Sequence, residues 1–429
     1  MTPNSPQKPT SSGSGPTTAL ERSFTVDAVR GVAVLGILLV NMHWFFGPEL
    51  YWGLLRDRPW TGSLDRAADL LIRFAAEGKF LAMFSFLFGL GMALQMTRAQ
   101  ARGTGFEALY LRRLAALLAI GLAHGLLLWH GDILTAYAVL GFVLFLLRNQ
   151  RDEVLVGGAG VAILAPLVLT GAFAALGALA RMSPEAAADM EEGMARQRED
   201  WAQAAENAFA AYGDGTFMDA LAQRAQDFGF MWQHFIFWLP PILGLFLLGL
   251  WAGRRGVATE PSIHRPLLRR VALWGIGIGV LANGWYAYGV LHSATGIAQG
   301  LKGFSFDVAH GVGAPLLGLG YLAGLALVAE RSWGRRILAP FAPVGRMALT
   351  NYLAQTVLAT AIFYGHGLGL YGQVGPALGL VITVGIFALQ LAWSAVWLRG
   401  FRFGPVEWAW RCVTYGRVEP LRVASPSSK

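Results

Sequence analysis

The sequence is poor in charged residues and contains one cysteine. Asp, Glu, Lys and Arg make up only 14% of its 429 residues, whereas 55% are hydrophobic, and the mean hydropathy is +0.47. This composition is far more apolar than that of soluble globular proteins. The single cysteine, Cys412, excludes an intramolecular disulfide and a cysteine-based metal cluster. The composition therefore predicts a protein that resides in a membrane.

Sequence motifs for nucleotides and catalytic metals are also missing. The chain contains no Walker phosphate loop, no dinucleotide-binding glycine fingerprint and no zincin motif. We therefore predict no bound metal.

What the chain has instead is a series of long apolar stretches. A membrane-spanning helix needs roughly 17–25 predominantly apolar residues. The sequence therefore predicts an all-α, polytopic integral membrane protein with about ten transmembrane helices. The predicted spans are 26–46, 78–97, 108–129, 133–148, 154–180, 231–253, 268–291, 308–329, 340–364 and 375–398.

The distribution of arginine predicts the orientation of these spans. Basic residues are concentrated in the C-terminal tail and in three connections, 98–113, 254–270 and 330–346. The alternating connections are poorly basic: 130–132, 181–230, 292–307 and 365–373. Because cytoplasmic connections carry the excess of Lys and Arg, both termini are predicted to be cytoplasmic. The net charge of +8 is then an orientation signal, and we expect no nucleic-acid partner.

Composition divides the chain into three regions. Residues 1–22 are rich in Pro, Ser, Thr and Gly and are predicted to be a disordered cytoplasmic tail. Residues 23–400 form the transmembrane domain, with an acidic, extracytoplasmic helical insertion at 181–230 that Ser183-Pro184 would start. Residues 401–429 form a basic cytoplasmic segment.

Polar residues inside the predicted spans are candidates for function, because they need partners there. Asn41 and His43 lie near the outer end of the first span, and His124 lies about 9 Å below the outer end of the third. Asp132 lies in the short outer turn that follows. Its carboxylate can cap the next helix or orient an imidazole as a general base. The candidate catalytic residues are thus His124, Asn41, Asp132 and His43.

A second set of polar residues lies toward the predicted cytoplasmic side. Asn351 and Gln355 share one face of the ninth span at i, i+4 spacing. Arg346, Arg30 and Arg411 lie at the same membrane level. These arginines are orientation signals and headgroup contacts, or they form a phosphate clamp, since the guanidinium fork suits phosphoryl oxygens. The five residues are the candidate cofactor-binding set.

Five ordered motifs resemble those of a known family. They are DAVRGVAVLGILLVNM, KFLAMFSFLFGLG, HGLLLWHGDILTAYAVLG, GRMALTNYLAQT and FGPVEWAWRCVTYG. In this order they resemble the motifs of the YeiB-like family of bacterial multi-pass membrane proteins of unknown function, over about residues 22–422. The resemblance implies a multi-pass protein of the bacterial cytoplasmic (inner) membrane.

The first motif also resembles the opening helix of a wider transmembrane acyltransferase group. That group includes membrane O-acyltransferases of bacterial surface glycans and heparan-α-glucosaminide N-acetyltransferase. Its Asp-x-x-Arg-Gly entrance is matched by Asp27, Arg30 and Gly31. At the position where the glycan O-acyltransferases carry a histidine, this chain has Asn41. The lysosomal heparan-α-glucosaminide N-acetyltransferase also has an asparagine there. A histidine base would therefore have to be His43 or His124.

The leading hypothesis is a transmembrane acyltransferase. Acyl-CoA, as co-substrate, would dock its phosphates on Arg30, Arg346 and Arg411, and His124 or His43 would deprotonate an acceptor hydroxyl or amine. Asn41 would hydrogen-bond the carbonyl or oxyanion. Asp132 would orient the base, and the acceptor would be sugar-like or another small polar compound at the outer side.

Other functions stay open. A transporter or exporter of a small molecule or lipid accounts for the same polar groups, and so does a non-catalytic scaffold or lipid-binding protein. Membrane lipids are the expected surroundings, and the helices rich in small residues have surfaces suited to a homodimer.

Overall fold

The computed structural model describes residues 23–55, 59–235, 237–292 and 300–423. The segment predicted to be disordered, 1–22, lies outside the described residues. The secondary structure of the described residues is helical, apart from one isolated β-bridge between Phe401 and Arg422. The prediction of an all-α chain is confirmed.

The first half of the chain forms nine α-helices and two π-helical turns within the described ranges. The helices are α1 (Phe24–Phe46), α2 (Glu49–Leu55), α3 (Ser63–Ala75), α4 (Lys79–Ala101), α5 (Glu107–Ala123), α6 (Leu134–Leu147), α7 (Asp152–Ala180), α8 (Pro184–Phe209) and α9 (Phe217–Phe235). The π-helical turns are His124–Leu128 and Ala210–Asp214.

The second half continues with eight helices in the same described ranges. They are α10 (Leu239–Arg254), α11 (Arg265–His292), α12 (Gly300–Ala329), α13 (Ser332–Leu338), α14 (Phe341–Arg346), α15 (Ala348–Phe363), α16 (Pro376–Gly400) and α17 (Pro405–Tyr415).

Several of these helices identify the chain as a membrane protein. Among the described residues, six helical segments are long and apolar enough to cross a bilayer: Phe24–Phe46, Ser63–Ala101, Glu107–Leu128, Asp152–Ala180, Lys302–Ala329 and Pro376–Gly400. The pair α9 and α10 forms a seventh, bent candidate, and α6 and α15 are shorter apolar helices. Each of the ten predicted spans overlaps a helix, while the number of crossings and their direction stay predictions.

Two predicted spans are not continuous helices. In the segment 231–253, α9 and α10 form an angle of 70°. Pro240 and Pro241 occupy the first turn of α10, where the missing N–H of proline costs no hydrogen bond within the helix. The segment 340–364 is divided at Met347 into α14 and α15. There Glu407 accepts the backbone N–H groups of Leu349 and Thr350, so α15 starts its own first turn.

Helix α1 lies at the centre of the bundle, in contact with α4, α12, α14, α15 and α16. It begins at the N-cap Ser23, whose side chain accepts the Val26 backbone N–H. Its packed positions include Ala28, Ala33 and Leu38, which are completely buried. The first predicted span is therefore the helix around which the neighbouring spans are arranged.

The insertion at 181–230 is helical, as predicted. Ser183 caps α8 by accepting the Ala186 N–H at 3.4 Å, and Pro184 occupies its first turn. Tyr212 in the following π-helical turn packs against Tyr364 and Tyr371, with ring centroids 4.7 and 5.7 Å away. The insertion therefore packs onto the end of the bundle where α15 ends.

Candidate functional site

A cavity of about 340 Å³ lies between α1, α4, α5, α6, α15 and α17. One end is at the level where α1, α5 and α15 begin and α4 ends. The lining of α1 runs from Ser23 to Ile37, a length of about 21 Å along the helix axis. The cavity therefore extends through much of the thickness of the bundle.

One end of the cavity is basic. Five half-buried arginines line it: Arg30, Arg98, Arg113, Arg346 and Arg411. We call these the mouth arginines. Two of them lie on aromatic faces, since Arg113 lies 3.8 Å from the centroid of the Trp410 ring and Arg411 lies 4.5 Å from that of Phe403.

Two carboxylates also line this end, and both have partners on the protein. Asp27 lies 3.5 Å from Arg30. Glu407 accepts the N–H groups of Leu349 at 2.7 Å and Thr350 at 3.0 Å, and the Thr350 hydroxyl as well. Burial raises the pKa of the Glu407 carboxyl, and the hydrogen bonds from Thr350 offset part of that rise. Positive charge is therefore in excess at the mouth, which suits an anion.

The middle of the cavity is apolar. Its wall consists of aliphatic and aromatic side chains from several helices, among them Val34, Ile37, Phe84, Leu87, Phe88, Leu114 and Leu117. A ligand that fills both regions must combine an anionic group with an apolar portion. The cavity thus has the chemistry of an amphiphile-binding site.

Tyr137, Tyr352 and Gln355 are polar residues that also line the cavity. The Tyr137 hydroxyl pairs with Ser85 Oγ at 2.8 Å, and the Gln355 side-chain amide donates to Gln390 Oε1 at 2.9 Å. The Tyr352 ring lies against the His124 ring, with centroids 5.1 Å apart. Tyr352 therefore connects the cavity wall to one of the predicted catalytic residues.

His124 and Asp132 are hydrogen-bonded to each other, with His124 Nδ1 at 2.8 Å from Asp132 Oδ1. His124 is 2% exposed and Asp132 is 1% exposed. The imidazole lies in the π-helical turn at the end of α5, a feature frequent at functional sites. The two residues are in contact, as the sequence predicts. Their catalytic role stays a prediction.

The second ring nitrogen, His124 Nε2, lies 2.9 Å from Thr356 Oγ1. An ionised carboxylate only accepts hydrogen bonds, so the network assigns the proton to Nδ1, and Nε2 accepts from the Thr356 hydroxyl. Thr356 is 1% exposed and lies one turn after Tyr352 on α15. The three side chains thus form a continuous row.

Asp132 also caps α6. Its Oδ2 accepts the Thr135 N–H at 2.7 Å and the Thr135 hydroxyl at 2.6 Å, and its Oδ1 accepts the Leu134 N–H at 3.1 Å. The two roles that the sequence presents as alternatives, helix cap and partner of an imidazole, are met by one carboxylate. These bonds hold the carboxylate in one orientation toward His124.

The predicted cofactor-binding residues separate into two groups. Arg30, Arg346, Arg411 and Gln355 all line the cavity. Asn351 does not, because its side chain bridges helices: it donates to Val344 O at 3.2 Å and Ser394 Oγ at 3.0 Å, and it accepts from Trp393 Nε1 at 2.8 Å.

Asn41 and His43 also lie outside the cavity lining. Asn41 is half-buried on α1. His43 is buried in a separate charged cluster, where its Nε2 lies 3.2 Å from Asp69 Oδ1 without hydrogen-bond geometry. In that cluster Arg73 pairs with Asp69 at 2.9 Å and Glu49 at 3.1 Å. The structure therefore brings His124 and Asp132 together and leaves these two residues elsewhere.

Sequence analysis alone misses four residues of the site. Arg98 and Arg113 lie in the basic connection 98–113, where the sequence indicates only membrane orientation. Tyr352 and Thr356 lie one turn apart at i, i+4 on the ninth predicted span, so a shared helix face is the sequence signal for them.

Comparison with known proteins gives the family. A family described as a protein of unknown function, DUF418, matches residues 252–417. The uncharacterised protein YxaH of Bacillus subtilis (strain 168) is 36% identical over 428 residues, covering 95% of this chain and 97% of the relative. The uncharacterised protein YeiB of Escherichia coli (strain K12) is 30% identical over 421 residues, covering 95% and 98%. The resemblance to the YeiB-like family is confirmed, and the chain belongs to the YeiB-like, DUF418 family of uncharacterised proteins.

Proposed function

We propose that the protein is a transmembrane acyltransferase that moves an acyl group from acyl-CoA to a hydroxyl or amine of a sugar-like or small polar acceptor. The observation that carries this proposal is one cavity whose wall includes both the mouth arginines and Tyr352, the residue packed on the His124–Asp132 pair. The relatives are described as uncharacterised, so the proposal rests on the site.

The mouth arginines are the proposed binding site for the phosphates of CoA. Guanidinium groups bind phosphoryl oxygens in a bidentate manner. The Asp27-x-x-Arg30-Gly31 entrance that resembles the acyltransferase group lies at this mouth, and Arg346 follows Gly345, which packs against α1. The thioester and acyl chain would then occupy the apolar middle of the cavity.

The proposed membrane arrangement puts this mouth in contact with the source of acyl-CoA. Ten spans with both termini cytoplasmic, in the bacterial inner membrane, place the mouth arginines at the cytoplasmic side. The α5–α6 turn that carries Asp132 is then at the outer side, where the acceptor would arrive.

His124 is the proposed general base. An imidazole whose Nδ1–H is held by a carboxylate has its lone pair on Nε2, the nitrogen that takes a proton in hydrolase triads. His124 and Asp132 do not line the cavity either, but the His124 ring contacts the lining residue Tyr352, so the proposal relies on this pair and not on Asn41 or His43.

A transporter of an anionic amphiphile is the second candidate. It is favoured by the apolar wall of the cavity and by the two nitrogens of His124, which both already have protein partners. A carrier would bind acyl-CoA, or a lipid with a phosphorylated headgroup, and release it intact.

The two candidates are separated by measuring binding and chemistry on the same preparation. Protein in lipid nanodiscs is titrated with decanoyl-CoA, CoA and decanoate, and then mixed with decanoyl-CoA and a panel of sugars and amines. We expect acyl transfer by the wild type and by His292→Gln, an exposed control, and none by His124→Gln. Binding without transfer to any acceptor would favour the carrier, and absence of both would overturn the proposal.

A further inference from the structure

Thr356 extends the His124–Asp132 pair into the geometry of a catalytic triad. A triad is recognised by a hydroxyl within hydrogen-bond reach of a base that a carboxylate orients. Here the Thr356 hydroxyl lies 2.9 Å from Nε2 of His124, and Nδ1 of the same ring lies 2.8 Å from Asp132. The order of groups is hydroxyl, imidazole, carboxylate.

The three groups come from distant parts of the chain and are all buried. Thr356 is separated from His124 by 232 positions, and each of the three residues is at most 2% exposed. The Thr356 backbone carbonyl accepts the Thr360 hydroxyl at 2.9 Å, whereas the Thr356 hydroxyl is directed across to α5. A threonine in a membrane helix commonly satisfies its hydroxyl within its own helix, and Thr356 instead bonds the imidazole.

We propose that Thr356 is the nucleophile of the reaction and carries the acyl group between donor and acceptor. This inference rests on the proposed acyltransferase function. Thr356 Oγ attacks the thioester carbonyl carbon, forming a C–O bond as the C–S bond breaks. The hydroxyl proton passes to His124 Nε2 and from there to the departing sulfur, which leaves as the CoA thiol.

The second half of the reaction reverses the direction of the proton. The acceptor hydroxyl or amine attacks the threonyl ester, and His124 takes its proton and returns it to Thr356 Oγ. The products are the acylated acceptor and free Thr356. No further reactant is needed, because every proton and bond is accounted for by donor, acceptor and triad.

A covalent intermediate fits a site between two compartments. The donor cavity reaches Tyr352, whose ring contacts His124, and Ile133 and Leu134, which follow the α5–α6 turn, also line it. Donor and acceptor would then use Thr356 in turn, without being bound together. The Tyr352 side chain forms the wall between the cavity and the triad, so it must move for the thioester to reach Thr356.

An indole lies beside the triad. Trp129 is 1% exposed, and its ring centroid lies 6.2 Å from that of His124. In the part of the chain that the structure describes, its Nε1–H has no hydrogen-bond partner. This N–H is available to stabilise negative charge on the carbonyl oxygen during acyl transfer.

The test is to trap the acylated protein. Protein in nanodiscs is mixed with decanoyl-CoA without acceptor, quenched in acid within milliseconds to minutes, and analysed by intact mass and peptide mapping. The expected result is one decanoyl group on the peptide that contains Thr356, removable by hydroxylamine. Thr356→Ser should keep the adduct, and Thr360→Val, one turn further along α15, should keep it as well.

Removal of the hydroxyl at constant shape gives the decisive comparison. Thr356→Val should lose the adduct and lower acyl transfer by about 10³-fold or more. Two results would overturn the inference and indicate direct transfer from donor to acceptor. One is acyl transfer by the wild type with no adduct at any time, and the other is acyl transfer by Thr356→Val at more than half the wild-type rate. If Thr356→Val does not fold, the mapped position of the adduct in the wild type and in Thr356→Ser decides. Absence of both adduct and transfer would overturn the inference together with the proposed function.

Discussion

Among single residues, Asp132 has two roles, in catalysis and in helix capping, that mutations can separate. It orients His124 and caps α6 through Leu134 and Thr135. The orienting duty concerns catalysis, because a triad whose carboxylate becomes an amide loses the correct imidazole tautomer. The capping duty concerns stability.

Asp132→Asn should therefore affect catalysis far more than folding. We expect acyl transfer to fall by about 10³–10⁴-fold and the free energy of unfolding to fall by about 0.5–2 kcal/mol. Transfer assays and thermal unfolding in detergent measure the two effects. Thr135→Val is the matched control, since it removes a hydrogen bond to the same carboxylate but leaves His124 alone. Equal losses of transfer in both variants would mean that Asp132 serves only the helix.

The mouth arginines make a second prediction at this scale. Arg113→Gln and Arg346→Gln should each weaken decanoyl-CoA binding by about 10- to 100-fold, because a hydrogen bond to a charged group contributes about 1.5–3 kcal/mol. Binding should also weaken as salt is added. Arg336→Gln, exposed and outside the cavity lining, is the control. The phosphate-binding role is refuted if all three variants bind equally.

The sequence predicts contacts within the site only between residues that are close together in the chain. His124 and Asp132 are predictable together because only eight positions separate them in the chain. Thr356 is not, since no local pattern encodes a partner 232 positions away. Asn351 is correctly identified as a buried polar group in need of partners, but those partners, Ser394 and Trp393, are protein groups of α16.

At the scale of helices, two glycines bring the arginines of the mouth together. A methyl group at Gly31 would overlap the Phe341 carbonyl oxygen, and one at Gly345 would overlap the Asp27 carbonyl oxygen. Helices α1 and α14 therefore touch backbone to backbone, as small residues allow in membranes. Each glycine is adjacent in sequence to a mouth arginine, Arg30 or Arg346. The glycine of the Asp-x-x-Arg-Gly entrance thus has a packing role.

Alanine at either glycine should separate the two helices. Gly31→Ala and Gly345→Ala are each expected to cost about 1–3 kcal/mol of stability, the usual penalty for overpacking, and to weaken decanoyl-CoA binding. Gly160→Ala on α7 has no neighbouring atom within 4 Å and should be neutral or slightly stabilising. Thermal unfolding in detergent provides the comparison. Unchanged melting temperatures in the first two variants would contradict the close contact.

Helix prediction from hydropathy succeeds for long apolar segments and fails at breaks caused by tertiary contacts. Each of the ten predicted spans overlaps a helix, because hydrocarbon-length apolar stretches favour helices regardless of their neighbours. The division of the ninth span at Met347 depends on Glu407, which lies in α17 and caps α15. Such a break is encoded by a residue remote in sequence.

At the scale of the whole molecule, the orientation in the membrane is the next prediction. On a Cys412→Ser background, Gly193→Cys in α8 should react with a membrane-impermeant maleimide on intact cells. Gly105→Cys, in the basic connection 98–113, should react only after the membrane is opened. Both positions are exposed, so accessibility within the protein is equal. Labelling of Gly105→Cys in intact cells would contradict cytoplasmic termini, because it would reverse the arrangement.

The orientation also decides how the proposed reaction is tested as a whole. Inside-out membrane vesicles that contain the protein expose the mouth arginines to the surrounding buffer and enclose the acceptor. Decanoyl-CoA labelled in the acyl group is added outside. An acceptor identified with the panel of sugars and amines is sealed inside the vesicles. His124→Gln vesicles serve as the control, and a second label on the CoA moiety reports whether intact donor crosses the membrane.

The double-label measurement distinguishes acyl transfer from transport of the intact donor. We expect the acyl label to accumulate inside on the acceptor, the CoA label to stay outside, and His124→Gln to abolish the transfer. Entry of both labels together, with the thioester intact and with no acylated acceptor, would contradict acyl transfer and identify a carrier.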